Sequence, residues 1–200
     1  MANNFGENSG VIANTVNGGI NILPQHNKRI PSLLPKFIEV LVRQYSSSDS
    51  DIQVIENNKP YTIEDKISHN HILIFKEMIE EYYSYYPICE STFESLRHID
   101  ENSKRNILTD INDIYRDIKL EYLEECMESE NPYEELGNKL KKNSDIIINK
   151  VKKAIKVRIQ NAYDGEQFNE QDLTLCLNIF VCYALGECKI LERPELICRL

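Results

Sequence analysis

The sequence runs to 200 residues, with 32 acidic against 23 basic side chains, a formal charge of −9, six cysteines and no tryptophan. A chain of this length buries roughly 70% of its unfolded surface, enough for one self-sufficient core. The charge excludes a protein whose whole surface grips nucleic acid while leaving room for a local basic face. The cysteines contain no Cys-x-x-Cys pair, which argues for free buried thiols in a reducing compartment rather than a disulfide framework.

Residues 1–29 hold four of the seven glycines (Gly6, Gly10, Gly18, Gly19) and seven asparagines. Asn17-Gly18 suits a type I′ turn, and Val16, Gly18, Ile20 and Ile22 alternate weakly around it. A lone hairpin is marginal in water. Two readings therefore stand: a mobile arm, or a strand pair that completes a sheet with another chain. Residues 30–45 then read as a helix, with Pro35 in the opening turn and Phe37, Ile38, Leu41, Val42 and Tyr45 on one side. The serine-rich stretch 46–51 ends it, and a short extended piece is expected around Ile52–Ile55.

From Pro60 the chain reads as helix after helix. Thr62 and Asp65 have capping-box spacing, with Asp in place of the usual Glu. Ile67, His71, Ile74, Phe75, Met78, Ile79 and Tyr82 continue as a helical stripe that stops at Pro87. Ser91 and Glu94 signal the start of a short helix through Phe93 and Leu96. After a polar turn, a long helix carries Ile107, Leu108, Ile111, Ile114, Tyr115, Ile118, Tyr122 and Leu123. Ser144 is expected to cap a further helix through Ile147, Ile148, Val151, Ile155 and Ile159, and a loop at Gly165 leads to the last one.

That last segment, residues 173–191, follows Asn169 and Asp172 and stops before Pro194; nearly every side chain is apolar. Its unbroken apolar stretch, Leu173–Leu185, contains Thr174 and Asn178 and is followed at once by Glu187 and Lys189. A membrane span needs about 20 mostly apolar residues, so this is a core helix. No charged region followed by an apolar run opens the sequence, and a cytoplasmic protein is expected. The fold class expected is all-α: a compact multi-helix bundle over residues 30–200 around a buried C-terminal helix, behind the arm 1–29.

Residues 120–138 carry seven glutamates (Glu121, Glu124, Glu125, Glu128, Glu130, Glu134, Glu135) and no base; residues 139–158 carry eight bases against Asp145 alone. The bases Lys150, Lys152, Lys153, Lys156 and Arg158 are candidate contacts for nucleic acid or an acidic partner. The alternative is two solvated helix faces that attract each other. Tyr82, Tyr83, Tyr85 and Tyr86 either wedge between helices or anchor an interface. His69 and His71, two apart on a helix, point about 200° from each other and cannot share a small ion. The sequence carries no Walker A loop, no Gly-x-Gly-x-x-Gly, no Gly-x-Ser-x-Gly and no His-Glu-x-x-His. The expectation is no catalytic residue, no metal and no cofactor.

The run YTIEDKISHNHILIFKEMIEEYYSYY, then RNILTDINDIYRDIK, then NSDIIINKVKKAIK and finally LTLCLNIFVCYALGECKILERP together resemble the C-terminal domain of bacterial ABC three-component systems. The resemblance covers roughly residues 30–194 and rests on Glu64, Lys66, Asn70, Tyr115, Asp145, Cys188, Lys189 and Pro194. It implies a docking module from Lamassu-type anti-phage and anti-plasmid defence, whose partners are an SMC- or ABC-type ATPase and a nuclease or other effector. The sequence departs from the family at Tyr183 and Ala184, where an aspartate is expected, and the arm stands where an effector domain would be. The implied role is a non-catalytic accessory subunit that meets partners through Tyr82, Tyr83, Tyr85 and Tyr86, with the basic face of Lys150, Lys153 and Arg158 as a second contact; DNA is expected as a partner through the complex, with direct contact left open, and no membrane contact is expected. Two alternatives stand beside it: a small nucleic-acid-binding protein using residues 139–158, and a homo-oligomeric structural protein assembled through the arm.

Overall fold

A computed structural model describes residues 33–47, 61–162 and 169–194, all within the unit that begins at Ser32. The expected arm 1–29 and the expected extended piece at Ile52–Ile55 lie outside the described residues. Among the described residues there is no strand. The elements are α1 (Leu33–Ser47), α2 (Ile63–His69), α3 (Lys76–Tyr82), a single 3-10 turn (Tyr83–Tyr85), α4 (Tyr86–Leu96), α5 (Ser103–Glu124), α6 (Pro132–Lys142), α7 (Ser144–Ala162) and α8 (Glu170–Gly186). The all-α expectation therefore holds for what is described, and no described helix is long and apolar enough to cross a membrane.

The helix α8 is the hub, touching α1, α2, α3, α4, α7 and the 3-10 turn. The Asn169 side chain accepts from the Gln171 amide at its start, and every residue from Ile179 to Gly186 is buried. A helix apolar all round has to be wrapped on all sides. Phe180 stacks on Phe37 of α1 with ring centroids 4.7 Å apart; Phe37 meets Phe93 of α4 at 4.4 Å, and Phe93 meets Tyr183 at 5.5 Å. This aromatic chain joins α1, α4 and α8, and each such ring contributes about 2–3 kcal/mol by burial. The helix ends at Gly186, earlier than expected, because Cys188 and Leu191 take left-handed backbone (φ 52° and 61°) that a helix cannot continue.

Gly186 is required by close approach. A Cβ there would lie 2.5 Å from the Tyr83 ring. Replacing Gly186 with alanine forces Tyr83 out of its seat and should cost about 1–3 kcal/mol of stability. Urea unfolding followed by circular dichroism measures it, and an unchanged midpoint would mean that the ring moves freely.

Three sequence expectations are corrected. The stripe from Thr62 to Tyr82 is not one helix: it breaks after His69, and His71 turns left-handed at φ 55°. Pro87 does not stop a helix but opens α4, where its missing donor costs nothing. Ser91 therefore lies inside α4 rather than capping it. The helix α6 had no counterpart in the sequence reading, since its buried stripe is only Leu136 and Leu140.

Candidate functional site

The capping box at Thr62 and Asp65 is formed on both sides, by bonds of 3.2 and 2.8 Å, and sets the start of α2. One turn on, Lys66 is fully buried. Its ammonium donates to the carbonyls of Leu191 (3.0 Å) and Glu192 (2.8 Å) and lies 3.4 Å from the Cys188 sulfur. Asn70, the C-cap of α2, donates to the Glu192 carbonyl at 2.9 Å and accepts from the Glu192 amide at 3.0 Å. Those bonds satisfy polar backbone that the left-handed turn after α8 leaves unpaired. The Glu192 side chain then accepts from Tyr115 (2.6 Å) and Lys119 (2.7 Å) of α5. The segment after α8 is thus latched to α2 and α5 at once.

Burial lowers the Lys66 pKa, with the neighbouring Cys188 pulling the other way. Burial would raise the Glu192 pKa, but Lys119 and Tyr115 donate to its carboxylate and hold it below the ordinary value. Tyr115 titrates higher than an ordinary tyrosine, first from burial and then from its bond to Glu192. The latch is a set of donors matched to acceptors.

Asp145 does the second piece of positioning. Its carboxylate accepts from the backbone amides of Leu73 (3.1 Å), Ile74 (3.1 Å) and Phe75 (2.9 Å), three donors in a row from the loop between α2 and α3. Ser144 beside it donates to the Asn70 carbonyl, so its hydroxyl bonds a carbonyl instead of serving as the expected N-cap acceptor. The consequence is a loop held from below whose side chains point away. Leu73 and Ile74 are 79% and 81% exposed, and Ile146, next to Asp145, is exposed as well. Large aliphatics this exposed on a hydrogen-bonded turn form a stiff apolar tip, where the sequence stripe had put Ile74 inside.

The residues of the family resemblance separate clearly. Lys66, Asn70, Tyr115, Asp145 and Cys188 all belong to the latch or its clamp. Pro194 is buried, Lys189 is half-buried with its carbonyl bonded by Asn112, and Glu64 is exposed. Tyr183, at the departure from the family pattern, donates to Glu90 at 2.7 Å, and Lys104 of α5 holds that carboxylate at 2.8 Å. Burial would raise the Glu90 pKa, and Lys104 and Tyr183 outweigh it and lower it.

The tyrosine group points inward. Tyr86 is buried, stacks on Tyr183 with centroids 4.6 Å apart and donates to Glu187 at 2.5 Å. Tyr83 sits against Gly186, while Tyr85 packs between Tyr45 of α1 and Tyr82, and both Tyr82 and Tyr85 stay half-buried. Of the basic candidates, Lys150 meets Glu121 at 2.6 Å, Lys156 meets Glu170 at 2.9 Å, Arg158 meets Asp110, and Lys152 donates to Asn178 at 2.5 Å. Lys153 is exposed. The acidic and basic blocks do touch, through Glu121 with Lys150 and Glu125 with Lys139. To hold phosphate, Lys150, Lys152, Lys156 and Arg158 would first have to leave their present partners.

His71 is exposed outside any helix and His69 is half-buried. No group of three metal-ligating side chains gathers among the described residues. The buried thiols of Cys89, Cys176 and Cys182 are pushed up by desolvation, the last two to about 12. They stay protonated near neutrality and pack as small apolar groups. Glu192 and the Leu73-Ile74 tip went unread in the sequence. The one signal for the tip was two adjacent aliphatics beside a residue ahead of the break, which periodicity alone assigns to a helix face.

The described residues thus form an all-α bundle in which the segment after α8 is latched by a buried lysine and the α2–α3 loop is clamped by an aspartate. No family model matches it, and neither does any curated protein or solved structure compared with it.

Proposed function

We propose that the chain is a non-catalytic adaptor of an anti-phage or anti-plasmid defence complex, linking an SMC- or ABC-type ATPase to a nuclease-type effector. One observation carries this reading. Five residues on which the family resemblance rests, far apart in sequence, serve one device that latches the terminal segment and holds Leu73 and Ile74 out in solvent. A pre-ordered apolar tip loses little entropy on binding, which is what a docking module needs.

Co-expression with an SMC- or ABC-type ATPase and a nuclease-type effector from the same operon tests the reading. The three chains should co-purify, and the protein eluting alone would count decisively against it. Leu73→Asp with Ile74→Asp should weaken capture of one subunit by about 30-fold, the scale of a lost hot spot. Both side chains are already exposed, so the helical spectrum and melting curve should not change.

A further inference from the structure

Among the described cysteines, Cys89, Cys126, Cys176 and Cys182 are buried and Cys188 is partly exposed. Cys188 stands at the first position past the C-cap of α8. Its amide and that of Lys189 bond back to the carbonyls of Leu185 (3.0 Å) and Ala184 (2.9 Å), and its backbone is left-handed at φ 52°. Glycine is the usual residue in this helix-ending turn, because a Cβ in that conformation is strained. Local backbone preference therefore does not account for the thiol.

Its surroundings are reactive groups. The Cys188 thiol donates to the Tyr61 hydroxyl at 2.9 Å, and the Lys66 nitrogen lies 3.4 Å from the Cys188 sulfur. That separation falls within the range of about 3–3.5 Å from which two groups react. Lys66 is fully buried, and its remaining contacts are the carbonyls of Leu191 and Glu192. As a neutral amine it can give its two hydrogens to those carbonyls and keep its lone pair for the sulfur. Burial, the largest influence on this amine, shifts it toward the neutral form.

We propose that Cys188 and Lys66 form a peroxide-sensitive modification site, in which oxidation of the thiol ties α2 to the segment after α8 through a sulfur–nitrogen bond. The Cys188 sulfur attacks hydrogen peroxide, the O–O bond breaks, and a sulfenic acid and one water form; sulfur gives up two electrons and the peroxide takes them. The Lys66 lone pair then attacks the oxidised sulfur. The S–N bond forms as the S–O bond breaks, and the departing hydroxide takes a proton from the nitrogen to leave as a second water. One N–H remains for the Leu191 carbonyl, and Asn70 keeps the Glu192 carbonyl bonded. Excess dithiothreitol reverses the bond, returning thiol and amine and itself becoming a disulfide. The site needs no partner chain, so its test is independent of the adaptor reading.

The experiment adds hydrogen peroxide in small excess to the reduced full chain, followed by intact mass and peptide mapping. Wild type should lose about 2 Da, with the Lys66-bearing peptide joined to the Cys188-bearing one. The loss should persist in Cys198→Ser, which removes the disulfide of equal mass that Cys188 could form with Cys198, and should vanish in Cys188→Ser. Because the bond joins residues 122 apart in sequence, the linked chain should melt about 5–10 °C higher, and dithiothreitol should abolish the rise. A gain of about 16 Da or more with residues 66 and 188 on separate peptides overturns the site. So does a Cys188–Cys198 disulfide in wild type, or a Cys188 that peroxide leaves unchanged. Linked peptides heavier by about 14 Da, with oxygen kept between sulfur and nitrogen, overturn the S–N bond. Peptide mapping of wild type decides between these outcomes even where a variant fails to fold.

Discussion

Lys66→Ala should lower the unfolding free energy by about 3–5 kcal/mol, a fall in melting temperature on the order of 10 °C. The side chain is fully buried, and its removal strands the Leu191 carbonyl and takes one of two donors from the Glu192 carbonyl, which Asn70 still bonds. An orphaned buried acceptor costs about 1–3 kcal/mol, and the lost stem leaves a cavity besides. Desolvating the ammonium offsets part of this in wild type, so Lys66→Met, which keeps the stem and removes the charge, should cost less, about 2–3 kcal/mol. Lys189→Ala is the control: the side chain is half-buried, and the change should stay within about 0.5 kcal/mol. Urea unfolding measures all three, and a Lys66→Ala loss below about 1 kcal/mol would mean the latch contributes little.

The same lysine sets a pH signature. Its native pKa is lowered by burial, so between that value and the ordinary lysine value the unfolded chain binds more protons than the folded one. Stability of wild type relative to Lys66→Met should therefore rise as pH climbs through that window. A relative stability that falls there would mean the amine is better stabilised as a cation inside than in water.

Asp145→Ala should cost about 2–4 kcal/mol. Three charge-assisted amide bonds are lost together, but the Leu73 and Ile74 amides lie at the surface, where water replaces the carboxylate, which holds the total below the sum of three buried bonds. The sharper readout is local. Hydrogen exchange of the amides of Leu73, Ile74 and Phe75 should speed up by about 100-fold while α8 keeps its protection. Asp145→Asn, which retains one acceptor oxygen, should fall between. Unchanged exchange in the loop would show that the left-handed turn at His71 holds the tip without the carboxylate.

Local signals carried much of the helical content. The capping box at Thr62 and Asp65 formed as its spacing required, α1 and α5 followed their apolar stripes, and the run from Leu173 onward became the buried hub. Each rests on residues within a turn or two of one another. The misplaced features share the opposite property. Asp145 lies about 70 residues from the amides it binds, and Lys66 lies 125 from the Leu191 carbonyl. Periodicity cannot register a partner at that separation. Ile74 fits a helical stripe until a carboxylate on α7 takes up the three amides and turns the loop outward.

What the sequence determined by itself is the all-α character of the described residues, with a helix apolar enough to require wrapping on all sides, because propensity, capping and periodicity act over a few residues. What the tertiary structure alone decided is where the second helical stripe breaks, which aliphatics face solvent, and that the Cys188 thiol meets the Lys66 amine. Those outcomes depend on satisfying buried carbonyls and amides from elements that meet only after the chain has folded. The docking tip and the thiol–amine pair belong to that second group.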